Sequence, residues 1–228
     1  MAKVVHVIGN GDSASLYHKE PRKGLKLTCN LPPFSIPDVY ATCMVDFKMM
    51  KTIHKGEIDV PGEWILGARP KIYMEKNPGF FMERTHQIKM FYTHLPKYAS
   101  NYTDLNCGHM AVYFAAQKLK ADVVHLYGFD SIFDFNLRSC TDLYINSDRG
   151  NMNNNRLTNN WRPLWHNIFK DFSDGRCEFV LHHFHDDIKF KLPSNTKIIP
   201  YKNKARNEST FSEFDEMDER KQKLGKVN

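Results

Sequence analysis

Val4-Val5-His6-Val7-Ile8-Gly9-Asn10-Gly11-Asp12-Ser13 is the stretch on which the fold turns. A short apolar run breaks into a glycine turn, and a polar stretch follows that can start a helix with Asp12 or Ser13 as its cap. Strand, glycine turn and helix start, in that order, are how α/β proteins bring backbone N–H groups to a phosphate. Gly9 and Gly11 carry no Cβ to hold a ligand away. The stretch is not the dinucleotide fingerprint, because Ala14 stands where the third glycine belongs. A tight turn at a sheet edge is the plain alternative.

The chain that follows has 228 residues, 41% hydrophobic and 25% charged, within the range of a globular protein with a real core. No apolar run approaches the roughly 18 residues of a membrane span. The first strand begins at once, leaving no room for a signal peptide, so a cytoplasmic location is expected. Cys29, Cys43, Cys107, Cys140 and Cys177 are odd in number with no C-x-x-C pair. Reduced thiols are expected, and not a disulfide framework or a zinc site. The net charge of +6 suits an anionic ligand or a polyanion such as DNA, and equally a solvated surface.

Two further strands are expected over 25–30 and 39–45. Each ends on a polar residue, Asn30 and Asp46, as the first ends on Asn10. In an open parallel sheet such ends line the ligand crevice. Residues 65–68 and 71–74 read as short strands among prolines and glycines, and 55–104 as part of the sheet with long connections. Asn106 is a cap for an apolar helix over 107–119, opened by Cys107 and Gly108. A central strand over 122–128 ends in Phe129-Asp130. An amphipathic helix is expected over 161–172, a strand over 178–182 and an edge over 198–200. The polar stretch 133–160 reads as a lid. The expected organisation is one α/β domain over 1–201 with a charged tail over 202–228. Its fold is Rossmann-like, a single doubly wound and mainly parallel sheet with that lid-like loop region.

Gly9-Asn10-Gly11-Asp12-Ser13, Cys29-Asn30, Val45-Asp46, Asn106-Cys107-Gly108 and Tyr127-Gly128-Phe129-Asp130 occur in an order that resembles the bacterial sialyltransferase family. That family includes the Campylobacter lipooligosaccharide enzymes and related proteins of bacteria and phages. The resemblance covers roughly 1–50 and 105–135. It implies a GT-A-variant glycosyltransferase, with Asn10 and Asn30 on the donor nucleotide. Gly9, Gly11, Ser13, Asn106, Cys107 and Gly108 would complete that nucleotide site. Asp46 stands where the family has an asparagine. The family's catalytic histidine, just before the helix after the lid, has no counterpart at Leu157-Thr158-Asn159-Asn160. Its two phosphate-binding tyrosines are not reproduced either, and Tyr144, Arg149 and Arg156 are the available substitutes.

Glycosyl transfer needs stabilisation of the leaving phosphate, a base for the acceptor hydroxyl and exclusion of water. Asp46 leads as the base, with Asp130 and His182 behind it. Turn or capping roles for Asp130, and a core role for His182, are the structural alternatives. No Asp-x-Asp triplet occurs, so metal independence and no cofactor are expected, with the nucleotide sugar as substrate. Neither a CMP nor a UDP donor is singled out. The acceptor is a glycan or, given the charge, a hydroxylated base of phage DNA. A nucleotide-binding regulator with the same pocket remains the non-catalytic alternative, and the sequence does not state an oligomeric state.

Overall fold

The computed structural model describes residues 2–19, 23–31, 34–132, 155–184 and 191–201; for residues 12, 19, 131 and 155–162 it describes the backbone alone. The tail over 202–228 and most of the expected lid, with Tyr144, Arg149 and Cys140, lie outside the described residues.

Among the described residues, eight strands form one sheet: β1 (Val4–Ile8), β2 (Leu25–Cys29), β3 (Ala41–Met44), β4 (Trp64–Leu66), β5 (Ile88–Phe91), β6 (Val123–Tyr127), β7 (Glu178–His183) and β8 (Thr196–Pro200). Their order is β5-β4-β3-β2-β1-β6-β7-β8, and every pairing is parallel. The chain leaves β1 towards β5, returns, and enters β6 on the other side of β1. This is a doubly wound α/β sheet whose direction reverses between β1 and β6.

Among the described residues, five α-helices accompany the sheet: α1 (Phe47–His54), α2 (Ala68–Lys76), α3 (Pro78–Arg84), α4 (Cys107–Gln117) and α5 (Asn155–Lys170). Strand alternation sorts the core into two faces. Val5, Val7, Cys43, Ile65, Val124 and Leu126 face one layer with α4 and α5. Met44, Trp64 and Leu66 face the other, against α1 and α3. Central β1 is buried almost throughout, as a strand covered on both faces must be. The outer strands β5 and β8 are largely uncovered, and Pro200 closes β8 where no further ladder is needed.

Three sequence expectations are corrected. Residues 71–74 are not a strand but the centre of α2. There Pro70 and Met74, four apart, turn one buried face inward, and Lys71 pairs with Glu75 at 3.0 Å. Pro78 does not break the chain into loop; it takes the first position of α3, where its missing N–H costs nothing. The helix expected over 161–172 begins at Asn155, so residues 155–160 belong to α5 and not to a lid. Pro163 suited a first helical turn at Trp161; instead it sits exposed inside α5.

Candidate functional site at the carboxyl edge of the sheet

Because all the strands run in parallel, all their carboxyl ends lie along one edge. Asn10, Asn30 and Asp46 therefore follow adjacent strands β1, β2 and β3, and α4 packs across β1, β2, β3 and β6. At the reversal point two glycine turns clasp each other. Gly9 N donates to Tyr127 O at 2.7 Å and Gly11 N to Gly128 O at 3.0 Å. A Cβ on Gly9 would lie 2.6 Å from Gly128 O, and one on Gly11 would strike the Asp130 carboxylate. These glycines are there for the approach of two backbones, and their amides point into the protein. The expected presentation of the Gly9 and Gly11 amides to phosphate is corrected accordingly.

Ser13 and Asp130 close the clasp. Asp130 Oδ2 accepts from Ser13 N at 2.9 Å and from Ser13 Oγ at 2.8 Å, and Ser13 Oγ accepts from Gly128 N at 3.2 Å. Asp130 is 1% exposed. The structure thus places it as a staple between turns, out of reach of an acceptor hydroxyl. Ser13 likewise caps no α-helix; the segment Asp12–Lys19 is a 3-10 helix.

His182 is similarly engaged. Its Nε2 lies 2.9 Å from His125 Nδ1 and its Nδ1 3.0 Å from Tyr201 Oη. Both ring nitrogens are held, and the ring stacks on Tyr127 at 4.2 Å. Asp46 precedes α1, and its Oδ1 accepts from Arg69 Nη2 at 2.7 Å. The pairing offsets the repulsion a lone carboxylate would exert on a phosphate. Arg69 was not found from the sequence. The signal was there: Gly67-Ala68-Arg69 follows β4 much as Val45-Asp46 follows β3.

The chain matches no family model, no curated protein and no solved structure. The site is therefore read from its own geometry. Asn30 adopts φ 53°, a left-handed conformation that asparagine tolerates better than most residues. It is 7% exposed, and its Oδ1 is buried without a hydrogen-bond partner. Asn10, 8% exposed, follows the adjacent strand β1. Asn106 caps α4: its Oδ1 accepts from His109 N at 2.9 Å, and its own N donates to His109 Nδ1 at 3.1 Å. The side chain is committed to that box. Helix geometry leaves the amides of Cys107 and Gly108 without intrahelical acceptors. Gly108 lets the first turn of α4 lie flat on Phe129, since a Cβ there would come within 2.6 Å of that ring. Arg156 lies on α5, its side chain outside the described residues.

The four described cysteines, Cys29, Cys43, Cys107 and Cys177, are not in disulfides. Among the described residues, no His, Cys, Asp or Glu cluster of three or more is placed to hold a metal ion. No described helix is long and apolar enough to cross a membrane.

A small cleft, with room for about one water, opens between the ends of β3, β4 and β5 and the start of α4, lined by Val45, Arg69, Tyr92, His94, Tyr102 and Met110. Behind it, Tyr98 and Tyr113 donate to Asp171 Oδ2 at 3.1 and 3.2 Å. Burial, and then the Asp171 carboxylate, push the Tyr113 phenol up to about 12. Tyr92 and Tyr98 are raised too, mainly by burial. Such groups ionise more easily in the unfolded chain, whose phenols titrate near 10. Their stabilisation is whole below pH ~10 and is lost as pH climbs towards 12. The urea midpoint is expected to be lower at pH 11 than at pH 9, with the difference smaller in Tyr113→Phe. Equal midpoints at the two pH values would contradict this account of the cluster.

Proposed function

We propose that the protein is a glycosyltransferase of the sialyltransferase-like, GT-A-variant kind. It moves a sugar from a nucleotide-sugar donor to an acceptor hydroxyl, without a metal. The observation that carries this reading is the buried, unpartnered Asn30 Oδ1 beside the reversal point of a doubly wound sheet. A buried acceptor without a donor is costly, and a ribose hydroxyl or a base amino group would satisfy it. The Cys107 and Gly108 amides at the start of α4 suit the phosphate. Arg69, held by Asp46, suits the charge that develops on the leaving group.

With one oxygen taken by Arg69, Asp46 serves in this reading to hold Arg69 and a donor-sugar hydroxyl, not to remove the acceptor proton. The acceptor is a glycan or a hydroxylated base of DNA; a DNA acceptor requires binding that weakens steeply with salt. The engagement of both Asp130 and His182 favours a second reading, a nucleotide-binding regulator that lacks turnover.

Incubation with CMP-, UDP- and GDP-sugars, with released nucleotide as the readout, decides between the two. Release from one donor class supports the transferase, and Asp46→Asn is then expected to raise KM for that donor about tenfold or more. Nucleotide binding with no release from any donor supports the regulator.

A further inference from the structure

We infer that His109 positions the amides of the nucleotide site and makes that site pH-sensitive: neutral, it closes the first turn of α4; protonated, it releases it. The inference rests on the reading of Asn30, Cys107 and Gly108 given above and adds the regulation of that same site.

The hydrogen bonds of the turn run as follows. Met110 N donates to Asn106 O at 3.2 Å, His109 N to Asn106 Oδ1 at 2.9 Å, and Asn106 N to His109 Nδ1 at 3.1 Å. The reciprocal pairing of Asn106 and His109 is a capping box, and it leaves the amides of Cys107 and Gly108 outside it. At the same carboxyl edge, the buried and unpartnered Asn30 Oδ1 is an independent sign of a ligand. The third helical position of such a box is ordinarily glutamate or glutamine. A glutamate would set a negative charge beside the phosphate that the turn receives. A glutamine would close the box but has no proton to gain. Histidine closes it and can be switched off.

His109 Nδ1 accepts, so in the neutral ring the proton is on Nε2. A second proton goes to Nδ1, where it meets the Asn106 N–H, and two donors then face each other. The cation would also lie at the positive end of the α4 dipole, on a residue 1% exposed. All three effects oppose the charged ring in the closed turn. Imidazoles of an unfolded chain take that proton near pH ~6.5. The stabilisation from the box is therefore whole above pH ~6.5 and is lost as pH falls below it.

The ring packs on Trp165 of α5 at 4.4 Å. On α5, His166 turns to Lys191 O, and Lys170 is exposed. Tyr92 and His94, after β5, and Tyr113, on α4, line one small cavity with His109. Burial raises both phenols, which stay neutral in acid. Burial lowers the His94 pKa, Asp171 opposes this and Lys118 adds to it. The turn itself is wedged between two strand ends: Gly108 lies on Phe129 after β6, and Met110 Sδ lies against Gly67 after β4. Opening the box frees the outer end of this wedge, and the Cys107 and Gly108 amides lose their fixed direction.

The test is thermal unfolding of wild type and His109→Gln at pH 8 and pH 5.5, alone and with UDP-glucose, GDP-mannose and CMP-sialic acid. The phosphate charge of these probes is constant over that range. Glutamine accepts the same N–H without titrating. Between the two pH values, the wild-type melting temperature should fall about 3 °C further than that of the variant. For whichever of the three probes binds, wild-type affinity should fall about tenfold or more, and that of the variant less than threefold. His94 is present in both proteins, so its titration cancels. Hydrogen exchange at the Asn106 amide gives a reading in wild type alone: corrected for the intrinsic rate, its protection should be about tenfold lower at pH 5.5. Parallel pH profiles of the two proteins, or equal Asn106 protection at both pH values, overturn the inference. A stability difference that opens while both affinities fall alike also overturns it, while leaving the crevice as a nucleotide site. Absence of a shift in wild type with any of the three probes at pH 8 removes the reading beneath it as well.

Discussion

Gly128→Ala is expected to lower the melting temperature by about 10 °C. Gly128 holds φ 75°, and a Cβ there would lie 2.9 Å from Ala14 Cβ and from the Gly9 carbonyl. The left-handed backbone costs an alanine about 1–2 kcal/mol, and forcing a methyl into a filled space costs about 1–3 more. At about 2–4 °C per kcal/mol for a chain of this size, the sum gives the stated fall. Gly175 is the control. Its φ is 88°, but nothing lies within 4 Å of its Cβ position. Gly175→Ala therefore incurs the backbone cost alone, and its melting temperature should fall by only a few degrees. Equal falls in the two variants would mean that the two turns do not press on each other as described.

Asp130→Ala is expected to destabilise the protein by about 3 kcal/mol. The carboxylate takes two hydrogen bonds from Ser13, 117 residues away, and Ser13 in turn takes the amide of Gly128. Removing it leaves a buried amide and a buried hydroxyl without their acceptor, each costing on the order of 1–3 kcal/mol. Asp130→Asn keeps a carbonyl oxygen in place and should cost about 1 kcal/mol. Urea unfolding of the two variants measures this directly. An alanine variant as stable as wild type would show that the staple does not hold the turns. A large drop in turnover with stability intact would instead return Asp130 to the chemistry.

How much of this could be read in the chain depends on how local the cause is. The β-branched run of β1, its glycine turn, the capping Asn106 and the apolar α4 are local signals. All four were legible, as was the parallel doubly wound class they imply. The reason for the glycines was not. Gly9 and Gly11 looked like a ligand cradle, whereas their neighbour is Gly128, brought next to them only when β6 inserts beside β1. Asp130 and His182 stayed open between a structural and a catalytic role for the same reason, since their partners Ser13, His125 and Tyr201 are distant in sequence.

Region 55–104 was read poorly for a different cause. Short helices α2 and α3 carry prolines near their starts and only one or two buried positions each, too few to show a period. Once β4 is placed, Arg69 falls at a strand end. It was hidden behind that one misreading.

The central claim is that the carboxyl edge around Asn30 and the start of α4 grips a nucleotide, and thermal unfolding with CMP, UDP and GDP tests it most directly. At about 100 times its dissociation constant, the right nucleotide adds roughly 2.7 kcal/mol. For this chain length that is a rise of about 5–10 °C. Asn30→Gly, which removes the oxygen and keeps the left-handed backbone accessible, should weaken binding about tenfold or more. No shift with any of the three nucleotides, or undiminished binding by Asn30→Gly, would contradict the account.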